Sequence, residues 1–207
     1  MIVVETANSN MSLDSLIAEA TRYARFTMKT SGCLTPIMMA ATEQGIILFS
    51  PDKMSDTGAK DDFANKVRLI TGSYGASAVV LILESWITKA RPGEKLDTET
   101  PPSESYDREE VVVLIGQAPQ GNITHLLPIH RLGNGKFWNL GEAEDMPADS
   151  FEGRFAGMLP PKPADEKTRQ MGKVLLEAMG VKVTPLKAGE LMRRALGVLA
   201  KPNQVTF

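Results

Sequence analysis

Hydrophobic positions change period along the chain, and each change marks an element. Leu13, Leu16, Ile17, Ala20, Ala24 and Met28 recur at helical spacing, with Asp14, Glu19, Arg22 and Arg25 mostly off that stripe. Ser12 is placed to cap this helix, and Met11 with Leu16 matches a hydrophobic staple across the cap. Gly32 is the stop signal. Residues 34–41 and 46–50 then flank Thr42-Glu43-Gln44-Gly45, the pattern of a hairpin. Lys53 to Asp62 reads as a polar connection, and Phe63, Ala64, Val67, Ile70 and Tyr74 form a second helical stripe.

The centre of the pattern is a pair of apolar runs, Val79-Val80-Leu81-Ile82-Leu83 and Val111-Val112-Val113-Leu114-Ile115. Each suits a strand buried on both faces. Between them, residues 91–108 are acidic and proline-rich. Residues 123–132 and 136–140, separated by Gly133-Asn134-Gly135, predict two more strands. Ile2-Val3-Val4 is a candidate short edge strand. The order predicts an α+β domain over residues 1–145, a mainly antiparallel sheet with two helices on one face. Profilin-like and roadblock-like domains share this general order, an analogy of fold that carries no function.

Residues 146–163, with four prolines, read as a linker, and residues 164–207 as a helical hairpin. Met171, Val174, Leu175 and Ala178/Met179 make the first helix stripe, ended by Gly180. Thr184 as cap and Pro185 at the first helical position open the second, with Ala188, Leu191, Met192, Ala195 and Leu199 as its apolar side. Such a hairpin is too small to be stable alone and must dock on the body, on a second copy or on another protein.

Composition narrows the function classes. The 207 residues carry a net charge of −2, which gives no reason for wholesale binding to nucleic acid or anionic membrane. The charge is uneven: residues 160–207 sum to +5 and residues 1–159 to −7. A single cysteine, Cys33, forbids an internal disulfide and suits a reducing compartment. The N-terminus lacks a signal-peptide pattern, and no segment has the roughly 20 apolar residues that span a bilayer. A cytoplasmic protein with no membrane contact is expected.

Candidate chemistry concentrates where the central strands meet the acidic loop. Glu84 and Trp86 leave the first strand; Asp107, Arg108, Glu109 and Glu110 enter the second. Glu84-Ser85-Trp86, Pro101-Pro102-Ser103-Glu104 and Asp107-Arg108-Glu109-Glu110 together resemble a pattern of uncharacterised bacterial and phage proteins, covering residues 84–115. That resemblance implies no activity. An antiparallel return would bring Glu84 and Trp86 near Arg108 and Glu110, as clustered carboxylates able to hold a divalent cation or move protons. Equally, Arg108 could pair with Glu84 or Glu110 as a structural ion pair while Trp86 packs as core. His125 and His130, five apart on one strand, point to opposite faces and give no metal constellation. Cys33 reads as a small buried hydrophobe. No phosphate loop or other cofactor motif is present, since Gly72-Ser73-Tyr74-Gly75 ends a helix where phosphate binding needs a start.

The leading expectation is a non-enzymatic protein-interaction module whose tail docks or self-associates as a dimer, with Trp86, Leu191, Met192 and Leu199 as interaction residues. The alternatives are a metal-assisted hydrolase or phosphodiesterase using Glu84, Asp107, Glu109 or Glu110, and nucleic-acid binding through the basic tail. No cofactor or resident metal is expected.

Overall fold

The structure, a computed structural model, describes residues 11–89, 93, 99–146 and 154–186. It is an α+β fold with one antiparallel sheet. Helix α1 (Leu13–Ser31) is followed by the hairpin β1 (Ile37–Thr42) and β2 (Gly45–Phe49), then α2 (Thr57–Tyr74). Next come β3 (Ala78–Ile87), β4 (Glu109–Ala118), β5 (Gly121–Arg131), β6 (Phe137–Leu140), β7 (Glu144–Met146) and α3 (Glu166–Ala178). The strands run in the order β2-β1-β3-β4-β5-β6, and β7 pairs with β5 beside β6.

Helix α1 forms for the local reasons its sequence suggests. The Ser12 hydroxyl accepts from the Ser15 N–H at 3.2 Å, and Gly32 closes the helix in the left-handed region. Leu16, Ile17, Ala20, Ala24 and Met28 are buried. They pack with Met39, Ala41, Val80, Ile82, Val112, Leu114 and Leu127. Helix α2 starts at Thr57, inside the stretch expected to be a polar connection. The Asp56 carboxylate caps it, accepting from the Ala59 N–H at 2.8 Å, and its first turns are exposed, so no apolar stripe announces them.

The two helices lie on opposite faces of the sheet, where one face was expected. Phe63, Val67 and Ile70 of α2 pack with Met38, Ala40, Val79, Leu81, Val111, Val113 and Ile115, the residues that alternate with the α1 partners. Unbroken apolar runs such as Val79–Ile82 bury side chains on both sides, so each side needs a cover.

Helix α3 packs on α2, outside the sheet. Gly172 makes that approach possible, because a side-chain carbon there would collide with the Ser73 hydroxyl. Part of the proline-rich stretch, residues 154–163, also packs against α2 and reaches β4. Met158 is buried; its N–H donates to the Gln117 Oε1 at 2.7 Å and its carbonyl accepts from Thr71 Oγ1 at 2.6 Å. Arg68 donates to the carbonyls of Arg154, Ala156 and Gly157.

After α3 the chain is extended, and no helix opens at Thr184 and Pro185. Val181 and Val183 face the α2-side core while Lys182 and Thr184 are exposed, a period of two. Leu186 then pairs antiparallel with Ile46 on the edge of β2, through bonds of 2.9 and 2.8 Å, and is buried in the α1-side core. Gly45 admits this contact: its φ is 128°, and a Cβ would strike the Leu186 carbonyl. The rest of the expected second helix, with Leu191, Met192 and Leu199, lies outside the described residues, as do Ile2-Val3-Val4 and most of residues 90–98.

Candidate functional site

The β3–β4 register sets Glu84 opposite Val112 and Trp86 opposite Glu110, so these four share the α1 face, just past the C-terminal end of α1. Glu84 is half-buried. Its Oε1 accepts from the Leu34 N–H at 2.5 Å, which pins the α1–β1 loop to β3. Burial pushes the Glu84 carboxyl above its usual range, the Leu34 N–H opposes that, Glu110 adds to it, and Arg131 opposes it.

Glu110 finds its cation on β5 rather than in its own strand. Arg131 grips it with two bonds, Nε to Oε2 at 2.7 Å and a terminal nitrogen to Oε1 at 2.5 Å. The other terminal nitrogen donates to the Gly32 carbonyl at 3.2 Å. The bonds to Glu110 raise the arginine's own proton affinity further. Arg131 was not among the residues singled out at the strand ends, where Arg108 was the expected partner. Arg108 lies over the Trp86 ring at 4.8 Å and donates to the Ser103 carbonyl at 2.5 Å. Trp86 is 40% exposed, so it is a surface aromatic covered by a cation and not a core residue.

Glu109 points to the other face, away from Glu84 and Glu110, because neighbours on a strand alternate. There Lys89 bridges Glu109 at 2.8 Å and Glu144 of β7 at 2.7 Å, and both carboxylates raise the lysine's proton affinity. Asp107 sits in the turn before β4. The acidic constellation is therefore two ion-paired groups on opposite faces, with Glu84 as the carboxylate held by a backbone N–H. Among the described residues no three His, Cys, Asp or Glu side chains group as a metal site. His125 contacts Asp145 at 3.3 Å, while His130 packs against the exposed Trp138.

Cys33 is exposed, not buried: it follows the helix cap, and Leu34 takes the inward position. One surface feature stands apart from all of these. On α3, Met171, Val174, Leu175 and Met179 are between 43% and 65% exposed, while Gly172 and Leu176 face inward. The apolar stripe read from the sequence is thus the outer side of the helix.

Among the described residues no helix is long and apolar enough to cross a membrane. No family model matches the chain, and neither the curated proteins nor the solved structures yield a match.

Proposed function

We propose that this protein is an interaction module that associates with a second copy of itself through the outer face of α3. The observation that carries this reading is the exposed stripe Met171, Val174, Leu175 and Met179 on a helix whose inner side is already packed. Four large apolar side chains in one row mark a contact surface more often than a solvated one.

A second copy is favoured over the chain's own tail by where the described chain stops. Leu186 is fixed to β2 and buried on the α1 side of the sheet, whereas α3 lies beyond α2 on the opposite side. The apolar spacing of the tail resumes at Ala188, so Lys187 alone separates it from that anchor. To cover the outer face of α3 in the same chain, the tail would have to turn back from this sheet edge and pass over α2. A stable dimer buries on the order of 800 Å² per partner, more than one helix face supplies. Leu191, Met192 and Leu199 of the tail are proposed to complete the contact.

The reading of the strand-end carboxylates as a hydrolase site is less supported, because Glu109 and Glu110 are each engaged by a cation. Sedimentation analysis provides the test. The wild-type chain should sediment as a dimer, and Val174→Asp with Leu175→Asp should give a folded monomer, since both side chains are exposed in the single chain. A wild-type monomer, or a double variant that remains dimeric, would sink the proposal.

A further inference from the structure

At the end of the sheet remote from the ion pairs, a cavity of about 660 Å³ opens between the C-terminus of α2, the β4–β5 turn and Pro160–Pro163. We propose that it binds a small organic carboxylate.

Gln117 carries the inference. It lines the cavity yet is only 6% exposed. Its Oε1 accepts from the Met158 N–H, and because a backbone N–H can only donate, the amide orientation is fixed. The amide nitrogen therefore faces away from Met158, and no described residue accepts from it. No buried side-chain nitrogen among the described residues lacks a partner, so this nitrogen is reached by the solvent of the cavity. A solvent-reached donor on a side chain otherwise buried and held from behind is a feature of a binding site.

Arg169 supplies the charge. Its Nε donates to the Ala164 carbonyl at 3.0 Å, which leaves the terminal nitrogens without a carboxylate among the described residues. The guanidinium lies against Gly75, where a Cβ would come within 2.8 Å of its central carbon. It also sits at the C-terminal end of α2, where the helix dipole favours a cation. Two donor-only groups select a ligand rich in acceptors, and the guanidinium fork matches the two oxygens of a carboxylate. Leu159, Pro160 and Pro161 give apolar wall for a carbon skeleton. Glu43, also a lining residue, opposes a polyanion more than a single carboxylate, and the volume lies in the range of small-molecule sites.

Amide spectra of the ¹⁵N-labelled full chain, titrated with phenylacetate and with neutral phenylacetamide, test this. The Gln117 side-chain amide and the Gly75 and Gly157 backbone amides should shift saturably with the acid, and the amide should bind at least about tenfold more weakly. Gln117→Glu keeps the acceptor for Met158 but removes the donor, and Arg169→Met keeps the stem but removes the fork. Each should weaken binding by about tenfold or more. Arg169→Lys, which keeps the charge, should fall between wild type and Arg169→Met. Absence of saturable shifts, equal affinity for acid and amide, or unchanged binding in folded variants would overturn the proposal.

Discussion

One face of the sheet is closed mainly by α1, with five buried residues drawn from one local stretch. The other is closed by α2, residues 154–159 and α3, which come from separate parts of the chain. The α1 side is apolar and direct: Leu13 and Ile17 sit over Gly116 of β4, and Arg25 ties the helix to the carbonyls of Leu140 and Gly141 at 3.1 and 3.0 Å. The α2 side is built with polar joints, through Gln117, Thr71 and Arg68, and it ends in an apolar surface facing outward. Assembly from distant segments leaves seams, and the cavity lies along one of them, while the exposed stripe is the outer side of the last segment added. The surfaces suited to partners and ligands therefore belong to the composite side.

The largest expected effect is on the α1 side. Leu16 is fully buried, so Leu16→Ala should cost about 2–5 kcal/mol, read as a lower denaturant midpoint with an unchanged slope. Gly172→Leu should cost less, about 1–3 kcal/mol, because it forces a side chain between α3 and Ser73 without opening the sheet. Hydrogen exchange would separate the two: Gly172→Leu should expose the α3 amides while α1 and the central strands keep their protection. Uniform loss of protection, or a larger global cost for Gly172→Leu than for Leu16→Ala, would break the distinction between the faces.

The same contrast explains what could be read from the sequence. Helix α1 was legible because its stripe and both of its caps are local. The central strands were legible as unbroken apolar runs, and those runs already required a cover on each face, a consequence the one-sided arrangement missed. The start of α2 was hidden because Asp56 caps turns that are polar all round. Strand β7 was hidden because Glu144-Asp145-Met146 is short and exposed. It is separate from β6 because Pro128 has no N–H to offer toward that edge, and its carbonyl bonds Gly141 alone at 2.8 Å.

The partner of Glu110 depended on register across two strands, which composition cannot supply. The signal that sets this register is the two-residue turn Pro119-Gln120, flanked by the pair Ala118 and Gly121. Counting back from that pair sets Val111 opposite Pro128 and brings Arg131 diagonally beside Glu110. Val181 and Val183 carried a similar signal, since their alternation with Lys182 and Thr184 is the period of a strand.

The smallest expected effect tests the one charged seam on the α1 side. Glu84 is half-buried, and its carboxyl is raised above the ordinary glutamate value of 4.5, chiefly by desolvation. A raised value in the folded state means that the folded protein holds this proton more tightly than the unfolded chain does. The stability Glu84 contributes is therefore fully present below pH 4.5 and is lost as pH rises through the higher folded-state value. Glu84→Gln keeps an oxygen to accept from the Leu34 N–H and has no charge to bury. The variant should match wild type in acid and gain on it as pH rises toward neutrality, in unfolding free energies measured across that range. Arg131 limits the gain by attracting the ionised form, so the difference should be small. Parallel pH profiles for the two proteins, or a wild type that gains on the variant with rising pH, would show that Glu84 is solvated and that burial of its charge costs the α1 side nothing.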